Sequence, residues 1–390
     1  MKKNIIPYGR QDINKKDIDA VIDVLKSSFL TQGPKVPEFE SFVSSEVKAK
    51  YAVACNSATS ALHVSCMALG VKKGDIVWTS ANTFVASANC AIYCGATVDF
   101  IDINPKTYNM DIDLLSVKLE EAYKSKKLPK VLIPVHLAGQ SCDMEKIHDL
   151  SKKYGFKIIE DASHAIGGSF NNKKVGSCFY SDITVFSFHP VKIITSGEGG
   201  MALTNNIELD RKLRLHRSHG ITSDKDYMEP RNNLNLWNYQ QIDIGYNYRM
   251  TDIQAALGIS QLERLKEFVI KRNHIADRYN ELLKDLPVIL PFQHPKSYSS
   301  YHLYIIRINL KKVKKLHNDV YKALHAKGIL ANLHYIPVYR QPFYEQMGFA
   351  KGYCKESESF HSEALSIPMY PGLKEKDLVF IRDSIKEILN

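Results

Sequence analysis

The chain has 390 residues, 44% hydrophobic and 24% charged, a balance that builds a large globular core and excludes a disordered or low-complexity protein. No run approaches the roughly 18 consecutive apolar residues of a membrane span, and Met1-Lys2-Lys3-Asn4 leads into no apolar signal core, so a cytoplasmic protein is expected. The net charge of +10 suits a phosphorylated partner; lysines scattered over residues 118–130 and 311–327, with no zinc-finger spacing or aromatic RNP-like strand, argue against nucleic acid.

The first predicted element is a helix over residues 15–26, where Ile18, Val21, Ile22 and Leu25 recur at helical spacing, followed by the turn Thr31-Gln32-Gly33-Pro34. From Ala52 to about Asn205, β-rich runs alternate with helical ones. A strand ends near Ala54, and further strands are expected at 75–79, 97–101, 130–135, 156–161, 183–188 and 200–204. Helices are expected at 59–69, 84–93, 112–123, 144–154 and 208–217. This alternation predicts an α/β fold, a mostly parallel sheet between helices. A long helix over 251–286, a strand at 303–308 and helices at 313–326 and 376–389 predict a smaller C-terminal α+β lobe, giving a large domain over 1–265 and a small one over 266–390. Seven cysteines, an odd and scattered set, read as reduced thiols; Cys90 and Cys94 read as a packed helix face.

In such sheets the working loops lie beyond the carboxyl ends of the strands. Four clusters stand there. Asn56-Ser57-Ala58-Thr59-Ser60 opens a helix, where free N–H groups and the helix dipole favour a phosphate; a simple Ser or Asn cap is the plainer reading. Glu160-Asp161-Ala162-Ser163-His164 ends an apolar strand in an acid able to pair with a protonated heterocyclic nitrogen, or to cap a helix, with a histidine that taken alone reads better as a core residue. Ser187-Phe188-His189-Pro190-Val191-Lys192 places a lysine among apolar and small residues before Gly197-Glu198-Gly199-Gly200. Burial there would lower the lysine pKa, as a Schiff-base nucleophile requires. Asn247-Tyr248-Arg249 precedes the long helix, with Thr251 or Asp252 as caps. Taken together, these supply an anchor, a ring-nitrogen partner and a lysine for pyridoxal 5'-phosphate.

These motifs, with Leu30-Thr31-Gln32-Gly33 and in the same order, resemble the DegT/DnrJ/EryC/StrS sugar aminotransferases, of the aspartate aminotransferase-like fold type I, over nearly the whole chain. The resemblance implies a seven-stranded large-domain sheet, with Lys192 bound to the cofactor as a Schiff base and then moving a proton. It implies Asp161 on the pyridine nitrogen, His164 beside the phenolic oxygen and Phe84 stacked on the ring. Ala58, Thr59 and Ser187 would cradle the phosphate, with Asn247 reaching it from a neighbouring subunit, which makes a homodimer. A family dehydratase would carry His in place of Lys192, and an idle sugar-nucleotide-binding relative would lack a motif present here. The Arg217-Ser218-His219-Gly220-Ile221 run, the tryptophan-containing insert before Ile244 and His334-Tyr335-Ile336-Pro337-Val338-Tyr339 resemble the members serving pseudaminic acid synthesis. Those aminate C4 of a UDP-linked 4-keto-6-deoxy-N-acetyl hexosamine from glutamate. Tyr8, Ser28, Phe29, Leu30, Thr31, His334, Tyr335, Pro337 and Tyr339 would then line the sugar-nucleotide site, and Arg231 or Arg340 could meet the diphosphate.

Overall fold

The computed structural model describes residues 5–231, 235 and 237–389. The Met1–Asn4 start and residues 232–234 and 236 of the insert lie outside the described residues. Seven strands form the main sheet: β1 (Tyr51–Cys55), β2 (Ile76–Ser80), β3 (Thr97–Ile101), β4 (Val131–Ile133), β5 (Lys157–Asp161), β6 (Ile183–Ser187) and β7 (Gly200–Thr204). Their spatial order is β1-β7-β6-β5-β4-β2-β3. Only β7 runs antiparallel to its neighbours. The carboxyl ends of β1, β2, β5 and β6 therefore share one edge with the amino end of β7. Each expected strand is present, those at 97–101 and 200–204 with the expected ends and the others with ends shifted by at most two residues.

Both sheet faces are covered, because strand side chains alternate. Val53 and Cys55 of β1 pack with Ala61, Leu62, Cys66 and Cys90 on one face, while Ala52 and Ala54 pack with Phe39, Val43, Phe186 and Phe268 on the other. Helices α1 (Lys15–Lys26), α2 (Lys35–Val47), α3 (Ala58–Ala68) and α4 (Ala86–Tyr93) build these layers. All seven cysteines are free.

The expected long helix is two: α5 (Asp252–Leu262) and α6 (Leu265–Leu283). Arg264 at the break has φ −100° and ψ 4°. Its side chain is drawn away to Asp12 at 2.7 Å and the fully buried Asp17 at 2.6 Å, tying the break to α1. Leu265, Phe268 and Val269 of α6 join the large-sheet core, whereas Ile275, Ala276, Tyr279 and Leu283 join a second core. That core packs against the antiparallel sheet of β8 (Val288–Ile289), β9 (Tyr304–Ile308) and β10 (Ala364–Ile367). We place the division between the lobes near residue 265, where α6 begins. The N-terminal residues Ile6–Pro7 pair in parallel with Ile329–Leu330, so the chain start is held by the C-terminal part.

Candidate active site

The shared strand edge opens into a cavity of about 980 Å³. Its wall brings together Tyr8, Ala58, Thr59, Phe84, Asp161, His164, Ser187, Lys192, His334 and Tyr335, all singled out in the sequence.

At one end β1 turns into α3. Ser57 caps the helix by accepting from the Ser60 N–H at 3.1 Å, and Ser60 donates to Asn56 Oδ1 at 2.6 Å. The next two N–H groups, of Ala58 and Thr59, have no intrahelical acceptor and stand at the cavity wall at the positive end of the helix. Gly200 makes this packing possible: a Cβ there would meet Ala58 N and Ser57 C at 2.4 Å. Ser187, opposite Gly200 in the β6–β7 register, adds its hydroxyl to the same wall.

Asp161 ends β5 and is buried. Its Oδ2 accepts from Ser87 Oγ at 2.5 Å and its Oδ1 from the Ser163 N–H at 3.1 Å. Behind it Glu160 points to the other side of the strand. There His136 Nδ1 accepts from the Cys142 N–H at 3.1 Å, so Nε2 carries the hydrogen and donates to Glu160 at 2.7 Å. Ser181 and Thr184 also donate to Glu160. Burial raises the Glu160 pKa, but these hydrogen bonds outweigh it and hold the carboxyl below its usual range. The His136 backbone N–H donates to the Asp161 carbonyl at 3.0 Å, linking the pair to the site.

Lys192 lies in the loop between β6 and β7. Burial lowers its pKa to about 8, with the negative charge of Asp161 opposing the fall, so roughly a tenth of the amine is free at pH 7, against well under a thousandth at the ordinary value. His164 Nδ1 accepts from the Ala138 N–H at 3.3 Å, and its Nε2 lies 3.2 Å from the Tyr335 hydroxyl. Burial, then the charges of Lys192 and His334, push the His164 pKa well down. Burial and Lys192 lower His334 to about 3. The histidines are neutral rings here. Phe84 is half-exposed at the cavity mouth, 6.1 Å from the Tyr335 ring, just before α4 rather than within it.

Other expected residues lie elsewhere in this chain. Thr31 lines a separate cavity of about 310 Å³ with Arg214, Arg217 and Arg249, and Ser28, Phe29 and Leu30 are exposed nearby. Asn247 is exposed on the segment leading to that cavity. Pro337 is buried outside the main cavity, and Tyr339 is fully buried with its hydroxyl donating to Glu358 at 2.6 Å. Arg340 is held by Glu345 at 2.8 Å, and Arg231 is exposed. Sequence reasoning missed Ser87, which sits in a helix of small residues, and His302, whose ring lies 4.3 Å from His164. Neither carries a local signal. Asn332 and Leu333 also line the cavity and were within reach, two and one residues before His334.

The donor set fits pyridoxal phosphate: N–H groups and hydroxyls for a dianion, a buried carboxylate for a ring nitrogen and an amine of lowered pKa, in one cavity of sufficient size. Fold and site thus define a fold type I pyridoxal phosphate enzyme. The DegT/DnrJ/EryC1/StrS aminotransferase family model matches residues 11–386, and the chain belongs to this family. It is 38% identical over 387 residues to a UDP-4-amino-4,6-dideoxy-N-acetyl-beta-L-altrosamine transaminase of Campylobacter jejuni subsp. jejuni, covering 99% of this chain and 98% of the relative. Helicobacter pylori PseC, an aminotransferase involved in the biosynthesis of pseudoaminic acid, superposes with a TM-score of 0.89 at 32% identity, over 99% of both chains. The putative sugar aminotransferase Spr1654 from Streptococcus pneumoniae, in its PMP form, gives a TM-score of 0.89 at 30% identity over 98% of both chains. The protein is a pyridoxal phosphate-dependent sugar-nucleotide aminotransferase. Among the described residues, no helix is long and apolar enough to cross a membrane.

Proposed function

We propose that this enzyme moves an amino group from glutamate to C4 of UDP-4-keto-6-deoxy-N-acetyl-β-L-altrosamine, giving the 4-amino sugar nucleotide of pseudaminic acid biosynthesis. The observation that carries the aminotransferase reading is the convergence of Lys192, Asp161 and the α3 N-terminus on one cavity. The sugar is supported by the Campylobacter and Helicobacter relatives.

Bound pyridoxal phosphate supplies the electron sink for proton loss at the amino-bearing carbon. The chain does the rest. Ala58 and Thr59 N–H groups and Ser187 would hold the phosphate, and Asp161 would keep the ring nitrogen protonated by pairing with it. Ser87 and Ser163 fix that carboxylate. Lys192 would hold the cofactor and, with its amine free, would accept and return the proton as general base and acid. Phe84 would cover the ring face, and His164 would stand beside the phenolic oxygen. Tyr8, His334 and Tyr335 shape the sugar side. Asn247 and the 28–31 segment, which do not line this chain's own cavity, serve the other active site of a homodimer: the partner subunit's Asn247 would complete the phosphate cradle. Glutamate and keto sugar use one site in turn, so the kinetics are ping-pong.

The test is the absorption spectrum of the purified protein with pyridoxal phosphate, then glutamate, then the keto sugar, with Lys192→Ala as control. A lysine-dependent visible band that falls with glutamate and returns with the sugar is the expected result. Loss without return keeps the aminotransferase and rejects this sugar. A band unaffected by Lys192→Ala overturns the assignment of the lysine.

A further inference from the structure

Lys192 has a second face. Besides the main cavity it lines a crevice of about 10 Å³, bounded also by Arg10, Gln11, Asp12, Thr195 and Arg272. That is space for about one water molecule. The wall is polar. Arg272 is 1% exposed, and its Nη1 donates to the carbonyls of Tyr301, His302 and Met369 at 3.0–3.3 Å. Its Nε has no acceptor among the described residues, and no carboxylate pairs with the guanidinium among the ion pairs found there. A buried donor of this kind requires a partner. The crevice shares Arg10, Gln11 and Asp12 with a vestibule of about 420 Å³ that includes Lys374 and Lys376 and opens to solvent.

We propose that this crevice binds one ordered water, held by Arg272 Nε, which joins Lys192 to solvent through the Arg10–Gln11–Asp12 throat. Resting on the reading of Lys192 as the proton carrier, the water gives it an exchange route separate from the substrate cavity. The Lys192 ammonium passes a proton to the water, which passes one to vestibule solvent; the reverse transfer restores it, with no net change of charge. A nucleotide sugar filling the main cavity leaves this route open. A small anion is the rival occupant, since Arg10, Lys374 and Lys376 outnumber Asp12 and Asp377 in the vestibule. Single-water size and the neighbouring lysine, whose amine must be free to act, favour water.

Two measurements decide it. A high-resolution crystal structure of the holoenzyme grown in bromide is expected to show one water within hydrogen-bonding distance of Arg272 Nε. A bromide anomalous peak there, or a dry crevice, overturns the proposal. In the second, [2-²H]glutamate is reacted in ordinary water and the deuterium retained in the aminated cofactor is read by mass spectrometry. Gln11→Trp, at an exposed throat position, and Arg272→Met are each expected to raise retention several-fold over the wild type. Unchanged retention in Gln11→Trp, with its crystal structure showing the throat closed, overturns the route. No reaction of the wild type with glutamate instead sinks the donor assignment, and the crystal structure then decides the water by itself.

Discussion

The lowered pKa of Lys192 has a measurable signature, because only the free amine attacks a carbonyl. Pyridoxal phosphate capture by the apoenzyme, followed by stopped-flow absorbance, is expected to rise with pH through a midpoint near 8 rather than the ordinary 10.5. Asp161 opposes the lowering, so Asp161→Asn should move that midpoint to still lower pH. Ser87 offers a gentler probe. Its hydroxyl is one of two donors on the Asp161 carboxylate. Ser87→Ala should weaken cofactor binding by about 1–2 kcal/mol, roughly tenfold in Kd by fluorescence titration, while leaving the lysine-dependent band in place. Lys192 and Asp161 were legible as candidates because strand-end chemistry is written locally. Ser87 was not, since a serine in a run of alanines reads as helix filler until the fold sets it against Asp161.

Among the elements, the break between α5 and α6 shows what periodicity misses. Apolar spacing continues across Glu263–Arg264, so the sequence reads as one helix; the interruption comes from Arg264 reaching across to α1. Asp17, the acceptor, is fully buried and also receives Ser260 Oγ at 2.6 Å and Gln261 Nε2 at 2.8 Å. Removing it takes one of two carboxylates from the largely buried Arg264 guanidinium, leaving Asp12, and deprives Ser260 and Gln261 of their buried acceptor. Asp17→Ala is therefore expected to cost about 1–3 kcal/mol in denaturant unfolding. The α3 entry is the other sensitive junction. Gly200→Ala would force the Ser57–Ala58 turn away from β7, and the expected result is a loss of cofactor affinity larger than any loss of thermal stability.

For the molecule as a whole, burial makes stability depend on pH in a defined direction. His164, His302 and His334 have pKa values below the usual 6.5, with burial the largest cause in each. Below pH 6.5 the unfolded chain binds protons that the folded one resists, so stability falls as pH falls, by up to about 1.4 kcal/mol per pH unit for each ring. For His334 the window runs from 6.5 down to about 3. Glu160, held below its usual 4.5, adds a further loss as pH drops through its folded value. Thermal melts from pH 7 to 4 should show a steady decline in Tm, and His334→Gln should flatten its upper part.

The sequence by itself determined the alternation of strands and helices, the cluster at each strand end and hence the fold class and the cofactor chemistry. These features depend on side-chain periodicity and on turn residues a few positions apart, which are local properties. The tertiary structure decided what depends on distant segments meeting. It set Tyr8, His334 and Tyr335 in the same wall as Lys192, buried Tyr339 against Glu358 and placed Thr31 by a separate cavity. It also put Arg272, whose Nε lacks an acceptor among the described residues, behind the lysine. Burial sets the charge of Lys192 and its histidine neighbours, and burial exists only once the chain has closed around them.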